Sequence, residues 1–173
     1  MNPHANANDY IVVYPQGTGF YSKVAWQSDE TLVSSWNDLA SNFPTEAGPH
    51  CLPDRLDYPC YAECGDCKAC DWTSCEDDVG FLLSITQSVK EGLLVDPDRF
   101  YLLGNSNGGS MVQRLGCDYP EHYAAVGIMI YQMPPGHACG PQETLPMFHY
   151  YGELDEGVPP DGKPSPYGRV YTS

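Results

Sequence analysis

The chain has 173 residues, with 23 acidic and 8 basic side chains and a formal net charge of −15 at pH 7. This length is typical of one domain with a hydrophobic core of its own. The excess of negative charge argues against nucleic acid, acidic lipid surfaces and polyanionic polysaccharides as partners. The sequence holds no apolar run of about 18 residues, so no membrane-spanning segment is predicted.

The first predicted element is a strand at residues 10–14, YIVVY. The run is short, apolar and rich in β-branched and aromatic side chains, and it stops at Pro15 and Gly17. Because it lacks polar alternation, it predicts a strand buried on both faces. Residues 16–75 follow without any sustained hydrophobic period. A segment of this length without regular structure is expected to be functional or cross-linked.

Cysteines are concentrated in this irregular segment. They stand at Cys51, Cys60, Cys64, Cys67, Cys70, Cys75, Cys117 and Cys139. The density of the first six predicts a disulfide-rich loop at about 44–75 and an oxidising, extracellular compartment. The C-x2-C-x2-C spacing from Cys64 to Cys70 leaves metal binding as an alternative. However, no second CxxC or paired histidine completes a zinc site, and Cys75 has the wrong spacing for an iron–sulfur run. No cofactor is therefore predicted.

A helix is predicted directly after the cysteines. Ser74 and Asp77 have the spacing of a capping box, which is a signal for the start of a helix. Apolar and small residues then recur at helical spacing, at Val79, Leu82, Leu83, Thr86, Val89 and Leu93. Acidic residues in the first turn and Lys90 near the last turn complement the helix dipole.

The second half of the chain alternates strands with helical or loop segments. A buried strand is predicted at 100–103, and a short helix with Met111, Val112 and Leu115 on one face follows and ends near Cys117 and Pro120. Two more strands are predicted at 123–131 and 147–151. This order predicts an α/β fold with a mostly parallel sheet and helices on both faces.

The glycine-rich junction at 104–109, GNSNGG, matches the motif G-x-S-x-G between a predicted strand and a predicted helix. In that context the motif is a nucleophile elbow, in which a strained serine presents its hydroxyl at the edge of the sheet. Ser106 is the predicted nucleophile, with Gly104 and Gly108 relieving the crowding around it. The backbone N–H of Asn107 is a predicted oxyanion donor. A structural turn and a phosphate-cradling loop remain as alternatives, although the dinucleotide motif G-x-G-x-x-G is absent.

A serine nucleophile needs a general base, and the base needs an acid that orients it. In α/β folds with a nucleophile elbow, the three catalytic residues follow along the chain in the order serine, acid, histidine. Asp155 is the preferred acid because it follows the predicted strand at 147–151, whose carboxyl end shares the sheet edge with Ser106. Glu153 and Glu156 are the alternatives.

The histidine is not evident from the sequence. The chain contains His4, His50, His122, His137 and His149, all of which precede Asp155. His149 lies in a strand that is predicted to be buried, so it is interpreted as a hydrogen-bonded core residue. His137 is the one candidate within the chain. The base is instead expected beyond Ser173.

Several stretches around these residues resemble one esterase family. They are YIVVYPQG, CEDDVGFLLSI, VDPDRFYLLGNSNGGSMVQRL, YPEHYAAV and PMFHYYGELDEGVP, and together they span most of residues 10–160. The chain thereby resembles the secreted esterases that include polyhydroxybutyrate depolymerases and feruloyl esterases. The resemblance implies an α/β-hydrolase fold, with Ser106 as nucleophile and Asp155 as triad acid.

The chain also departs from that family. The upstream strands with their His-Gly oxyanion loop, and the catalytic histidine, have no counterpart here, and residues 51–75 form a longer loop. Cys117 and Cys139 could form a bridge beside the site. The chain is therefore expected to be one α/β-hydrolase domain at 1–173, incomplete at both ends and with little activity alone.

The predicted function is that of a secreted serine carboxylic ester hydrolase. The expected substrates are small or polymeric esters of the feruloyl, acetyl or polyhydroxyalkanoate type. The enzymatic alternative is a serine peptidase of the prolyl-oligopeptidase type, which uses the same elbow. The alternative without catalysis is a cysteine-stapled binding module on a hydrolase scaffold. The sequence makes no prediction of the oligomeric state.

Overall fold

A computed structural model of the chain describes residues 2–22, 31–38, 43–45, 48–50, 76–132 and 144–163. Most of the predicted disulfide-rich loop at 44–75 lies outside the described residues, and so do Ser74, His137 and Cys139. The predictions that concern them therefore stay predictions. None of the helices in the described ranges has the length and apolar character needed to cross a bilayer.

The elements follow one another along the chain with clear bounds. They are α1 (Pro3–Ala7), β1 (Gly19–Ser22), β2 (Thr31–Ser34), β3 (Phe43–Thr45), β4 (Gly48–His50), α2 (Asp78–Gly92), β5 (Tyr101–Asn105), α3 (Asn107–Asp118), a 3-10 turn (Pro120–His122), β6 (Ala125–Met129) and β7 (Met147–Tyr150). The helices and strands predicted after the cysteines are thus confirmed, with bounds that shift by a few residues.

The amino-terminal part differs from the prediction. Residues 10–14 form no strand, and their side chains are exposed rather than buried. An apolar run becomes a strand only where a neighbouring strand supplies its hydrogen bonds, and no described strand pairs with this one. The stretch predicted to be irregular contains two short antiparallel pairs, β1 with β2 and β3 with β4.

The main sheet is parallel and has the order β5-β6-β7. Its register aligns the carboxyl ends of all three strands, because Asn105 lies opposite Met129 and Met129 lies opposite Tyr150. The loops that follow these strands therefore leave from one edge of the sheet. This edge is where an α/β fold carries its functional side chains.

The hydrophobic core lies between α3 and one face of this sheet. Met111, Val112 and Leu115 of α3 are buried. Val112 packs in one cluster with Val126 and Ile128 of β6, and Met111 and Leu115 pack in a second cluster, to which helix α2 adds Val79.

The start of α2 lies three residues later than the capping signal at Ser74 suggests. Asp77 is the N-cap, and its Oδ1 accepts a hydrogen bond from Gly80 N–H at 2.9 Å. A short acidic side chain immediately before the helix satisfies one of its free N–H groups and favours the positive end of its dipole.

No described element covers the second face of the main sheet. Leu103 is 71% exposed and Phe148 is 64% exposed, and the register places both beside Gly127. Tyr101 and Tyr150 continue this exposed face. Within the described residues the helices therefore cover one face, whereas helices were predicted on both.

Candidate active site

Ser106 occupies the single residue between β5 and α3. Its backbone has φ 53° and ψ −122°, and its side chain is exposed. A positive φ is rare for a residue with a Cβ atom and costs on the order of 1–3 kcal/mol. The turn is held by a hydrogen bond from Ser106 N–H to Met129 O at 2.9 Å and by another from Ser110 N–H to Ser106 O at 3.0 Å. The arrangement is a strained strand–turn–helix, which is the geometry that a nucleophile elbow requires.

Glycines allow the strand and the helix to approach each other at this turn. A Cβ atom on Gly104 would lie 2.1 Å from Gly108 O, which no side chain could tolerate without movement. A Cβ atom on Gly109 would lie 3.0 Å from Met129 O. Gly108 differs, since a Cβ atom there would meet only Trp36 Nε1 at 3.9 Å. The backbones of Gly104 and Gly108 thus approach each other closely, and an added side chain would be crowded at Gly104 and Gly109 but not at Gly108.

The backbone N–H of Ser106 already donates a hydrogen bond to Met129 O, so the next N–H along the chain is the one available to a ligand. Asn107 is the first residue of α3, and its N–H makes no hydrogen bond within the described part of the chain. It lies at the positive end of the helix dipole, where a developing negative charge is favoured. This N–H is placed next to Ser106, as an oxyanion donor would be.

Asp155 lies in the turn after β7, at the same edge of the sheet as Ser106. Its Oδ1 accepts hydrogen bonds from Gly157 N–H at 2.8 Å and from Val158 N–H at 3.0 Å. Its Oδ2 has no partner among the described residues and is left for a further donor. Glu153 and Glu156, the alternative acids, are exposed and form no such turn.

Among the described residues, no histidine contacts Ser106 Oγ or the Asp155 carboxylate. His149 donates a hydrogen bond through Nε2 to the carbonyl of Tyr131, and its ring packs edge-on against Tyr151. The prediction that its strand is buried is wrong, because β7 is exposed along its length. As the last strand of the described sheet, β7 is paired along one side only.

The segment that lies against the elbow was not predicted from the sequence. Residues 35–38 precede α2 by some forty positions, yet Trp36 N–H donates to Asn107 Oδ1 at 2.7 Å. Asn107 Nδ2 donates both to Trp36 O at 3.1 Å and to Asp38 Oδ2 at 2.7 Å. No local pattern signals this contact, since the partners are 69 and 71 residues apart.

The predicted bridge beside the site is described at one end only. Cys117 lies half-buried near the end of α3 and is disulfide-bonded. Its pairing with Cys139 stays a prediction, because Cys139 lies outside the described residues.

Comparison with known proteins gives two partial matches. One is esterase NocK of Nocardia uniformis subsp. tsuyamanensis, 34% identical over 86 residues, which cover 49% of this chain and 25% of that protein. The other is feruloyl esterase B of Piromyces equi, 29% identical over 86 residues, which cover 47% of this chain and 16% of that protein. No protein-family model matches the chain, and no solved structure matches it significantly. Because both relatives are named as esterases, the matches support an esterase-like family.

Proposed function

We propose that this protein is a serine carboxylic ester hydrolase that works through an acyl-enzyme. The observation that carries the proposal is the backbone of Ser106, which is held at φ 53° between β5 and α3 with its side chain exposed. Strain at an exposed serine between a strand and a helix, with glycines two residues before and after it, is the geometry that a nucleophile elbow requires. The two partial relatives named as esterases support the same interpretation.

In the proposed reaction, Ser106 Oγ attacks the ester carbonyl carbon while a histidine base accepts the hydroxyl proton. The negative charge that develops on the carbonyl oxygen is stabilised by Asn107 N–H. The tetrahedral intermediate then collapses, and the histidine returns the proton to the leaving alcohol. Water, activated by the same histidine, hydrolyses the acyl-serine and releases the carboxylic acid.

Asp155 is the proposed acid of the triad. Two backbone N–H groups hold its Oδ1, so the carboxylate is fixed in orientation while Oδ2 stays available for imidazole Nδ1–H. Strand β6 separates β5 from β7, so the ends of the outer strands are about 10 Å apart, enough for a histidine between them. The proposal assigns this histidine to a position outside the described residues, because His149 is engaged with the carbonyl of Tyr131.

The proposed substrates are feruloyl, acetyl or polyhydroxyalkanoate-type esters, as the resemblance implies. The net charge of −15 supports neutral rather than polyanionic substrates. The cysteine content supports an extracellular site of action. Assays of the three ester classes side by side, with a peptide amide as the fourth substrate, would separate these candidates from the peptidase alternative.

The test of the nucleophile is labelling of the full-length protein with a fluorophosphonate, followed by peptide mapping. We expect the label on Ser106, and we expect Ser106→Ala to abolish both labelling and release of product from an aryl ester. Ser110→Ala is the matched control, because Ser110 lies one turn further along α3 with a buried hydroxyl that has no hydrogen-bond partner among the described residues. An intact fold without a label on Ser106 would refute the proposal.

The test of the acid is Asp155→Asn. The amide keeps the size of the side chain but cannot stabilise an imidazolium, so kcat is expected to fall by about 10⁴-fold with little change in KM. Glu153→Gln in the same loop is the control and should keep its activity. Equal activity of Asp155→Asn and the unmodified protein would show that another residue orients the base.

A further inference from the structure

Asn107 combines two functions that involve different atoms. Its backbone N–H is the oxyanion donor of the proposed function and has no acceptor within the described residues. Its carboxamide makes three hydrogen bonds, since Oδ1 accepts one and Nδ2 donates two. A side chain with all three bonds formed has one orientation only, and the Cα atom that carries it is fixed as well.

Two of these bonds hold a single backbone position. Trp36 N–H donates to Oδ1 at 2.7 Å and Trp36 O accepts from Nδ2 at 3.1 Å, so the carboxamide pairs with Trp36 as one strand residue pairs with another. The third bond, from Nδ2 to Asp38 Oδ2 at 2.7 Å, is charge-assisted and lies at a carboxylate that is only 4% exposed. Bonds of this kind are stronger than neutral ones, particularly away from water.

The segment held by Asn107 is itself fixed from two other elements. Asn37 N–H donates to Asp78 Oδ2 at 2.6 Å, and Asn37 Nδ2 donates to Glu76 O at 3.0 Å, at the start of α2. Arg114, two turns further along α3, donates to Asn37 O. We call residues 35–38 the Trp36 segment. Because it is bonded to α2 and to α3, it provides a rigid support for whatever is bonded to it.

We propose that Asn107 is a positioning residue, whose carboxamide fixes its own backbone N–H at the oxyanion position by clamping α3 to the Trp36 segment. The inference rests on the proposed function, since the N–H has a catalytic task only if Ser106 attacks an ester. The first residue of a helix is otherwise poorly restrained, because its N–H lacks an intrahelical partner. An oxyanion donor acts in proportion to how well it is oriented before the reaction.

The test uses three variants of the full-length protein: Asn107→Asp, Asp38→Asn and the double variant. Asn107→Asp removes the Nδ2 donor and places two carboxylates against each other. We expect kcat to fall by about 10²-fold with KM within about threefold, because a displaced donor affects the transition state more than substrate binding. Asp38→Asn alone keeps an acceptor for Nδ2 but removes the charge from that bond, so we expect a loss of kcat that is smaller than in Asn107→Asp.

The double variant is the rescue. The amide introduced at position 38 can then donate to the carboxylate introduced at position 107, so the repulsion disappears and one bond between the two positions returns, although the bond from position 107 to Trp36 O does not. We expect kcat to recover by about tenfold over Asn107→Asp. Hydrogen exchange of the peptide that contains the Trp36 segment should rise in Asn107→Asp and fall back in the double variant. Where Asn107→Asp does not fold, Asn107→Ala is measured for the same two quantities.

The outcomes separate this inference from the proposed function. If the unmodified protein neither hydrolyses esters nor labels at Ser106, the proposed function fails and the inference fails with it. If the unmodified protein is active, and Asn107→Asp shows faster exchange but unchanged kcat, the clamp is structural and the inference alone is overturned. A loss of kcat without faster exchange of the Trp36 segment also overturns it. Loss of kcat together with faster exchange, both reversed in the double variant, supports it.

Discussion

At the scale of single residues, two strained positions lie side by side at the edge of the sheet where the strands end. Ser106 has φ 53° and Ile130 has φ 52°, which is a marked outlier for a β-branched side chain. Both donate across the sheet edge, Ser106 N–H to Met129 O at 2.9 Å and Ile130 N–H to Tyr150 O at 2.8 Å. These bonds connect the ends of β5, β6 and β7. Each strained backbone conformation is therefore stabilised by a hydrogen bond to the neighbouring strand.

The glycines of the elbow give a prediction at this scale. Gly104→Ala would place a Cβ atom 2.1 Å from Gly108 O and 2.4 Å from Gly108 C, so the helix or the strand must move. We expect the free energy of unfolding to fall by about 1–3 kcal/mol, the usual cost of overpacking. Chemical denaturation measures it.

Gly108→Ala is the matched control for that prediction. Its Cβ atom has Trp36 Nε1 at 3.9 Å as the nearest contact, and alanine favours a helix by about 1 kcal/mol over glycine. Stability should therefore stay level or rise. If both substitutions destabilise the protein equally, the close approach at Gly104 is not the cause.

At the scale of elements, the main sheet has two unlike faces. Strand β6 is buried on the side of α3, where Ile128 is fully buried. On the opposite side the neighbouring Leu103 is 71% exposed, although both residues are aliphatic and belong to adjacent strands. The contribution of a side chain to stability should follow this difference in burial rather than the type of residue.

Alanine substitution tests the difference in burial between the two faces of the sheet. Ile128→Ala leaves a cavity between β6 and α3 and should reduce the free energy of unfolding by about 2–5 kcal/mol. Leu103→Ala removes atoms that are mostly in water and should change it by less than about 0.5 kcal/mol. Both values come from urea denaturation. A large loss with Leu103→Ala would show that the face carrying Leu103 is covered in solution.

At the scale of the whole molecule, Tyr123 joins several elements. Its side chain is 7% exposed within the cluster formed by α2 and α3, and its hydroxyl lies 3.4 Å from Thr86 Oγ1. Burial raises the pKa of Tyr123 above its usual value, which the hydrogen bond with Thr86 only partly offsets. The folded protein therefore keeps this proton at a pH where the unfolded chain has lost it.

This shift predicts a contribution to alkaline unfolding. The contribution of Tyr123 to stability is complete below the unfolded pKa of about 10 and is lost as pH rises towards the folded value, with a slope of at most about 1.4 kcal/mol per pH unit. Tyr123→Phe should unfold with a smaller dependence on pH above about 10. Denaturation of both proteins from mildly to strongly alkaline pH measures the difference, and identical slopes would contradict the assignment.

Local patterns predicted the elements of the second half of the chain well. Helical spacing from Val79 onward and the apolar runs before and after the glycines correspond to α2, β5 and β6. The run at 10–14 was predicted with the same criteria and is not a strand. The difference is that β5 and β6 pair with each other, whereas the run at 10–14 has no described partner strand. The periodicity of one segment does not show whether a second segment lies beside it.

What the sequence by itself determined is the strand–turn–helix around Ser106, since glycine offsets and helical spacing act over a few residues. The order of the predicted strands also placed Asp155 at the sheet edge that carries Ser106. Tertiary structure alone decided that no described element covers one face of the sheet and that Trp36 pairs with Asn107 from 71 positions away. These contacts depend on the path of the chain between distant segments. Each is formed by groups with no special local signature, so only their arrangement in space distinguishes them from ordinary polar residues.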